Sequence, residues 1–452
     1  MSEDYKVFER ALFEDAGGVY KPIDRDLFDK YGVKRGLRNS DGTGVMAGIT
    51  SIGSVNGYYI DDGEKKPMEG HLRYRGYDLS DLIYNSVSEG RFGFEEVAYL
   101  LLFGELPTEQ TLDRFSRYIG EKRNLPEGFM EDMILKAPSK NIMNKLARSV
   151  LASYSYDDNP DDISFQNLLK QSIHLISQMP VMTAYAYQAK SHYHDGNSLY
   201  IHSPQPELST AENLLYMLRR DNAYTEEEAK LLDIMLMVHA EHGGGNNSAF
   251  TTRVVSSSDT DTYSAIAAAI GSLKGPKHGG ANAKVMGMIE NIKANVKNYE
   301  DRSEVKDYLA KILRGEVYDG MGLVYGMGHA IYTLSDPRAV IIKERCKEVL
   351  CHNEELIPEF RLYELIEELT PEIFADVKKI DKAICANVDL YSGFVYKMMK
   401  IPPELYTPFF AIARVSGWCA HRIEEVLLGK RIIRPAYKSI CNSRNYIKIE
   451  DR

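Results

Sequence analysis

His239 to Asn282 reads HAEHGGGNNSAFTTRVVSSSDTDTYSAIAAAIGSLKGPKHGGAN, and the rest of the chain is organised around this stretch. Two glycine-rich turns, each with a histidine beside it, flank a single helix made of small residues. Helix ends at such turns present backbone N–H groups that suit anions, and an imidazole can donate, accept or transfer a proton near neutral pH. The stretch therefore predicts an acid–base site for an anionic substrate, built on a helical scaffold.

Helix-period sequence continues on both sides of this stretch. Apolar residues recur three and four apart from Phe94 to Leu106. Thr108, either Ser209 or Thr210, and Thr225 are of residue types that cap helix N-termini. Pro180 lies inside another long helical pattern, where a kink or break is expected. Lysines and glutamates become more frequent after Gly279, which indicates a second, smaller helical domain. The predicted fold class is therefore mainly α.

A strand signal is confined to residues 42–78. β-Branched residues and tyrosines alternate there, and Asn56-Gly57 is a common hairpin turn. Arg73 and Arg75 are two residues apart, so they would share one face of an extended segment. The prediction is a set of short β-hairpins near the N-terminus that form the only sheet of the protein.

The composition restricts the expected partners. The formal net charge is −10, from 55 Lys and Arg against 65 Asp and Glu, which argues against nucleic acid or an anionic membrane. No apolar run reaches the roughly 18 residues of a membrane span, and the acidic first forty residues lack the features of a signal peptide or presequence. An odd number of cysteines without a C-x-x-C pair favours a reducing cytoplasm. These cysteines are Cys346, Cys351, Cys385, Cys419 and Cys441.

Three ionisable residues in turns form the first candidate constellation. His278 follows Gly-Pro-Lys, His329 follows Gly-Met-Gly, and Asp389 follows Asn-Val. Glycines let a substrate approach the backbone, and two histidines with a carboxylate can divide the roles of base, acid and hydrogen-bond donor in proton abstraction beside a carbonyl. A helix cap or a satisfied turn explains any one of these residues equally well, so both interpretations remain open.

Arginines form the second constellation, at Arg338, Arg414 and Arg434. Arg414 interrupts an otherwise apolar helix face, and a buried guanidinium needs a partner charge or an anionic ligand. Paired N–H groups make arginine a natural clamp for a carboxylate. An internal salt bridge is the alternative at each position.

Metal and nucleotide sites are alternatives for the same residues. His239 and His242 have the spacing of two zinc ligands on one helix face, but there is no H-E-x-x-H and no cysteine cluster. The glycine runs lack both the G-x-G-x-x-G fingerprint after a strand and the G-K-[ST] ending of a phosphate loop. We therefore predict no metal and interpret His239 as a packed helix residue.

Together these motifs resemble the citrate synthase family, in order, over nearly all of the chain from Gly48 to Tyr437. The resemblance implies a nearly all-α homodimer. It also implies a large domain, residues 1–280 and 395–452, and a small domain, residues 281–394, that closes over the substrates. The motifs that carry it are RYRGYDL, EEVAYLLLFGELPT, EHGGGN, GPKHGGAN, GHAIYTLSDPR, NVDLYSG and the arginine of FFAIARVSG.

The resemblance also implies a role for each site residue. Asp389 would remove a proton from the methyl group of acetyl-CoA, His278 would stabilise the enol or enolate, and His329 would protonate the oxaloacetate carbonyl as the carbon–carbon bond forms. The citryl-CoA would then be hydrolysed. Oxaloacetate would be held by His242, Arg338 and Arg414, with Arg434 reaching in from the second subunit, and coenzyme A would contact Gly326, Met327, Gly328 and Asn387.

Two features of the sequence limit what the resemblance implies. Many relatives carry a basic residue four or five positions after the histidine that matches His329, to meet a phosphate of coenzyme A, whereas this chain has Thr333 and Leu334. Citrate and 2-methylcitrate synthases share every catalytic residue, so use of propionyl-CoA, alone or in addition, is an open alternative. A non-catalytic structural homologue is a more remote one. No cofactor is expected beyond the coenzyme A thioester, which is a substrate.

Overall fold

The computed structural model describes residues 3–19, 22–39, 41–350, 353–379, 383–429 and 431–452, with the side chains of 3–5 and 15–19 excepted. They form two compact units. One consists of Met1–Ala47 with Arg434–Arg452, and the other of Gly48–Ile433. The predicted division of the chain at residues 281–394 concerns the inside of the larger unit and stays a prediction.

The smaller unit contains little regular structure. Its helices are α1, Glu3–Val19, and α2, Asp26–Lys30. An isolated antiparallel bridge joins Arg38 to Gly44, and the C-terminal segment is irregular until a short 3₁₀ turn at Ile449–Asp451.

The larger unit begins with an antiparallel sheet of three strands: β1, Gly53–Asp61, β2, Glu64–Tyr74, and β3, Tyr77–Asp78. The predicted turn at Asn56-Gly57 is wrong, because these residues lie inside β1 at a register shift. The turn falls at Asp62-Gly63, where both residues have positive φ, +47° and +81°. Glycine is needed at position 57 for a tertiary reason, since a Cβ there would lie 2.6 Å from the Cα of Tyr332.

Arg73 and Arg75 would share a face only in an extended segment, and the segment is not extended at Arg75. β2 ends at Tyr74, and Arg75 has a φ of +50° in the following turn. Its guanidinium donates two hydrogen bonds, at 3.1 and 2.8 Å, to the carbonyl of Leu101 and one, at 2.8 Å, to the hydroxyl of Ser51. Arg75 therefore fixes the sheet to the helical core, which satisfies its polar groups locally.

Helices and the loops between them account for the rest of the larger unit, which confirms the predicted mainly α fold. Thr108, Ser209 and Thr225 cap their helices as expected, and the last two form capping boxes with Glu212 and Glu228. The helices are α3, Leu79–Ser88; α4, Phe94–Phe103; α5, Glu109–Glu121; α6, Ile142–Ala152; α7, Phe165–Asp195; α8, Thr210–Leu218; α9, Glu226–His239; α10, Asn247–Ser256; α11, Thr262–Leu273; α12, Ala281–Asn295; α13, Arg302–Arg314; α14, Pro337–Val349; α15, Ile357–Lys378; α16, Val388–Met398; and α17, Tyr406–Leu428.

The core is arranged around α17, which packs against α4, α7, α9, α10 and α11. Its residues from Tyr406 to Ile423 are nearly all buried, and Trp418 is fully buried. α7 continues through Pro180 without a break, because the whole segment is held inside the core. The small-residue sequence between the glycine turns forms α10 and α11, which pack against each other, rather than one helix.

The cysteines that the structure describes are free thiols. Cys346, Cys385 and Cys419 are buried and Cys441 is exposed, while Cys351 lies outside the described residues. None of the helices in the described ranges is both long and apolar enough to cross a membrane.

Candidate active site

The turn after α9 separates the two histidines of the first motif. His239 ends the helix, its Nδ1 lies 2.7 Å from the carbonyl of Met235, and its ring packs against Phe410 at 4.6 Å. His242 lies beyond the helix end, beside Gly243 with a φ of +80°. They do not form one metal-binding face, and the described residues contain no group of three or more potential ligands for a metal. His239 is a packed helix residue, as predicted.

His242 belongs to a cluster of three rings. Its ring centroid lies 5.3 Å from that of His329 and 5.6 Å from that of Tyr332, and the last two rings are 4.6 Å apart. Burial lowers the pKa of His242 well below its usual value, and the nearby Arg338 lowers it further. A neutral His242 is therefore expected at pH 7, with a buried Nε2 that has no hydrogen-bond partner among the described residues.

The backbone selects the tautomer of His329. Its Nδ1 lies 3.1 Å from the N–H of Ile331 and 3.2 Å from that of Tyr332. Backbone N–H groups can only donate, so Nδ1 must be the unprotonated acceptor and the proton must lie on Nε2. His329 is thereby prepared to donate from Nε2 to an oxygen of a ligand.

His278 is held by the buried end of α10. Its Nε2 lies 3.1 Å from the hydroxyl of Ser248, which also accepts the indole N–H of Trp418 at 3.1 Å. Burial, and then the positive charge of Arg414, lowers the pKa of His278 to about 4. The ring is therefore neutral at pH 7, and Ser248 fixes the orientation of its other nitrogen.

Asp389 lies in the first turn of α16. The side chain of Asn387 caps that helix by accepting the backbone N–H of Asp389 at 3.0 Å. Burial raises the pKa of Asp389 to about 6; Arg338 opposes this shift and Asp336 adds to it. A carboxyl group with this pKa is ionised at pH 7 and is a far better proton acceptor than an exposed aspartate.

Hydrogen bonds join the loop of His329 to the turn before Asp389. The N–H of Gly328 donates to the carbonyl of Cys385 at 2.7 Å, and the N–H of Asn387 donates to the carbonyl of Gly326 at 2.9 Å. The side chain of Asn387 donates to the carbonyl of Gly328 at 2.9 Å. A Cβ on Gly326 would lie only 2.9 Å from the side chain of Leu390, so a glycine is required for this close contact.

The two buried arginines differ in their partners. Arg338 forms a two-pronged ion pair with Asp336, at 3.0 and 2.7 Å. Burial opposes the charge of Arg338, but Asp336 outweighs this effect and raises the pKa. Arg414 is fully buried, and its Nε donates to the carbonyl of His239. Both terminal nitrogens of Arg414 are buried without a hydrogen-bond partner in the described part of the chain, as expected of a group that binds an anion.

A buried carboxylate that the sequence motifs did not indicate lies behind Arg414. Glu241 is fully buried and lies 2.9 Å from Nε2 of His421, whose Nδ1 accepts from Nε of Arg253 at 3.2 Å. Burial alone would raise the pKa of Glu241, but His421 and Arg414 keep it below the usual value. The ionised Glu241 therefore offsets part of the charge of Arg414. The sequence signal that could have indicated Glu241 is an acidic residue directly after an apolar helix.

The sheet supports the segment between His329 and Arg338. The hydroxyl of Thr333 contacts the carbonyl of Gly57 and lies 3.2 Å from that of Met68. The N–H of Gly70 donates to the hydroxyl of Ser335 at 3.1 Å. The β1–β2 hairpin therefore fixes the backbone between a histidine and an arginine of the site.

Comparisons with known proteins agree with this geometry. The family model described as citrate synthase, C-terminal domain, matches residues 40–436. The chain belongs to the citrate synthase family. The citrate synthase of Corynebacterium glutamicum is 34% identical over 90% of this chain and 88% of its own length.

Two further similarities bear on the substrates of this citrate synthase family member. The 2-methylcitrate synthase of Shewanella oneidensis is 32% identical over 84% of this chain and 92% of its own. A solved structure of the citrate synthase of Thermoplasma acidophilum, a ternary complex with carboxymethyl coenzyme A and oxaloacetate, is 25% identical. It has a TM-score of 0.74 and covers 93% of this chain and 99% of that one.

The structure brings most of the predicted site residues together. His242, His329 and Arg338 surround Tyr332, and Arg338 and Arg414 act electrostatically on Asp389 and His278 respectively. Arg434 is different, since it lies exposed in the C-terminal segment of the smaller unit. The four residues predicted to contact coenzyme A form the joined loops beside His329 and Asp389. They are Gly326, Met327, Gly328 and Asn387.

Proposed function

We propose that this protein condenses acetyl-CoA with oxaloacetate and water to give citrate and coenzyme A, the entry step of the tricarboxylic acid cycle. The observation that carries the proposal is the arrangement of a basic carboxylate, two neutral histidines and a buried arginine whose terminal N–H groups find no partner among the described residues. The negative charge of a dianionic keto acid is complementary to the positive charge of the buried arginine. The raised pKa of Asp389 matches a base that acts on a weakly acidic C–H group.

The first step is proton transfer from the methyl group of acetyl-CoA to Asp389. His278 donates a hydrogen bond to the thioester oxygen, where negative charge develops, and so stabilises the enol or enolate. The methyl carbon then attacks the keto carbon of oxaloacetate, and Nε2 of His329 gives its proton to the oxygen that becomes the alcohol. Water finally cleaves the thioester of citryl-CoA, which releases citrate and the thiol of coenzyme A.

Oxaloacetate is held by charge and by hydrogen bonds. Arg414 offers two terminal nitrogens, His242 offers Nε2, and Arg338 is kept in place by Asp336. These groups are fixed before the substrate arrives, so binding costs little reorganisation. His242, Arg338 and Arg414 thus form the proposed oxaloacetate site. The joined loops at Gly326, Met327, Gly328 and Asn387 form the proposed coenzyme A contact.

We further propose a homodimer in the cytoplasm, with Arg434 completing the oxaloacetate site of the second subunit. The exposed position of Arg434 and the large exposed side chains of its unit support this assignment. Tyr437 is 95% exposed and Ile449 is 81% exposed, and such apolar surface is typical of an interface. Arg434→Ala should raise the KM for oxaloacetate, whereas a protein that is active as a monomer in solution would exclude a role across subunits.

Propionyl-CoA is the second candidate acyl donor, because 2-methylcitrate synthases are among the similar proteins. Use of both substrates is physically plausible, since one methylene in an apolar pocket is worth only about 1–3 kcal/mol. Thiol release measured with oxaloacetate and each acyl-CoA decides between them. We expect the higher kcat/KM with acetyl-CoA, and an equal or higher value with propionyl-CoA would reject the assignment as a citrate synthase.

Asp389→Asn tests the proposed role of Asp389 as the general base. We expect turnover to fall by about 10²–10⁴-fold, the usual contribution of a general base. The folded state should be retained, because the amide is nearly isosteric and removes a buried charge. Full turnover in the variant would reject this mechanism, and a wild-type chain without thiol release would favour a non-catalytic homologue.

A further inference from the structure

Tyr332 has a buried phenol whose hydroxyl group finds no partner in the described part of the chain. The side chain is 2% exposed, and its oxygen has no hydrogen-bond partner within the residues that the structure describes. A buried hydroxyl without a partner lowers stability, and phenylalanine would fill the same space without that cost. Packing alone therefore does not explain why this residue carries a hydroxyl group.

Tyr74 shows how a phenol nearby is satisfied. It is also fully buried, but its hydroxyl donates to the carbonyl of Met237 at 3.0 Å and lies 3.4 Å from the N–H of Glu241. Both tyrosines interact electrostatically with Arg338 and Arg414. Two phenols thus lie near the same pair of arginines. Within the described residues, the hydroxyl of Tyr74 is paired and that of Tyr332 is not.

The ring of Tyr332 places its hydroxyl among the groups of the site. One face of the ring lies along His329, at 4.6 Å and 31°, and His242 meets it edge-on at 5.6 Å. The guanidinium carbon of Arg338 lies 5.7 Å from its centroid. A Cβ on Gly70 would lie 2.7 Å from the ring, so the ring packs closely against the sheet.

The unpaired buried atoms of the site are mostly donors or potential donors. Among the described residues these donors belong to Tyr332, to Nε2 of His242 and to both terminal nitrogens of Arg414, and one acceptor, Oε2 of Glu241, is also unpaired there. A neutral imidazole and a phenol can each donate one hydrogen bond, and the two guanidinium nitrogens can donate several. A compact dianion has enough carboxylate oxygens to accept hydrogen bonds from all of these groups. A single water molecule has too few lone pairs to do so.

We infer that the Tyr332 hydroxyl binds oxaloacetate directly, by donating a hydrogen bond to a carboxylate of the dianion beside Arg414. This inference rests on the proposed function and adds a residue to its substrate site. Tyr332 is then a substrate-binding residue, and the same ring orients His329 and His242. The cost of the unpaired hydroxyl in the ligand-free protein is recovered when oxaloacetate binds.

Tyr332→Phe tests the inference, because it removes the hydroxyl and keeps the ring. We expect the KM and Kd for oxaloacetate to rise by about 10- to 100-fold, the value of a hydrogen bond to a charged group, while kcat at saturation changes little. The Tm of the ligand-free variant should stay equal or rise by about 1–3 °C. The Tm increase that oxaloacetate causes in the wild type should shrink.

Tyr263→Phe is the matched control. The Tyr263 side chain is 4% exposed, and its hydroxyl donates to Asp157 at 2.8 Å. Loss of that paired hydroxyl should lower the Tm and leave the KM for oxaloacetate unchanged. The two variants should therefore show opposite patterns in stability and in substrate binding.

The outcomes separate the inference from the proposed function. An unchanged Kd for oxaloacetate in Tyr332→Phe overturns the inference. If the wild-type protein still turns over its substrates, the proposed function stands. A fall in kcat without a change in KM also overturns it, because the hydroxyl would then only orient His329. A wild-type protein that neither binds oxaloacetate nor releases coenzyme A overturns the proposed function, and the inference with it.

Discussion

The side-chain amide of Asn387 donates to the carbonyl of Gly328 at 2.9 Å, while its oxygen accepts the N–H of Asp389 at 3.0 Å. One side chain thus caps the helix of the proposed base and holds the loop of His329, the proposed acid. The distance between these two groups depends on this link. Small errors in such a distance are costly in catalysis.

Two variants of Asn387 separate the effect of capping the helix of Asp389 from the effect of the hydrogen bond to Gly328. Asn387→Ser keeps an oxygen for the N–H of Asp389 but loses the donor to Gly328, and Asn387→Ala loses both. We expect both to lower kcat by about 10- to 100-fold. Asn387→Ala should unfold with about 1 kcal/mol less free energy than Asn387→Ser. Steady-state kinetics and denaturant titrations measure the two effects, and wild-type kcat in Asn387→Ser would show that the link is unimportant.

The pH dependence of kcat/KM should report the proposed base. Because burial raises the pKa of Asp389 to about 6, the group is protonated below that pH in the free enzyme and cannot accept a proton. We expect kcat/KM to fall about tenfold per pH unit below about pH 6 and to be level just above it. His278, with a pKa of about 4, is neutral throughout this range. A level profile from pH 5 to 7 would argue against Asp389 as the base.

Arg414 and Arg422 offer a comparison within α17. Both are buried, but Arg422 donates to Thr262, Ser256 and the carbonyl of Thr260, whereas the terminal nitrogens of Arg414 are unpaired among the described residues. Arg414→Lys should raise the KM for oxaloacetate by about 10- to 100-fold with a small change in Tm. Arg422→Lys should lower the Tm with an unchanged KM. The reverse pattern, from kinetics and thermal unfolding, would exclude Arg414 as the anion clamp.

Gly57→Ala tests the support that the sheet gives to the site. The new methyl group would lie 2.6 Å from the Cα of Tyr332, and backbone cannot move aside cheaply. We expect a loss of about 1–3 kcal/mol in the free energy of unfolding and a lower kcat/KM, because the segment from His329 to Arg338 is displaced. Gly271→Ala in α11 is the control, since its methyl group would meet nothing within 4 Å. Equal behaviour of the two variants would refute this support.

Local signals in the sequence predicted many elements correctly. Thr108, Ser209 and Thr225 mark helix starts because an N-cap depends on residues within one turn. Asn56-Gly57 has a strong local turn signal, yet the turn forms at Asp62-Gly63. The reason is tertiary, since Gly57 is needed where Tyr332 packs closely against β1.

The site residues also divide into those that the sequence indicated and those that only the structure distinguishes. Single residues and short motifs in the sequence indicated His242, His278, His329, Asp389 and Arg414. Glu241 and Tyr332 were not recognised, because an acid beside a histidine and a tyrosine near an arginine are common in any sequence. Only their burial, and the unpaired state of atoms of both among the described residues, distinguishes them.

The sequence by itself determined the mainly α class, the family and the chemical types of the proposed reacting groups. These depend on periodicity, on caps and on motifs that are each contained in a few residues. The tertiary structure decided the pKa of Asp389 and the difference between Arg414 and Arg422. Those properties depend on burial and on partners far away in the chain, such as Asp336, Glu241 and Thr262. Electrostatic free energies are set by distance in space and by exclusion of water, neither of which can be read from neighbouring residues.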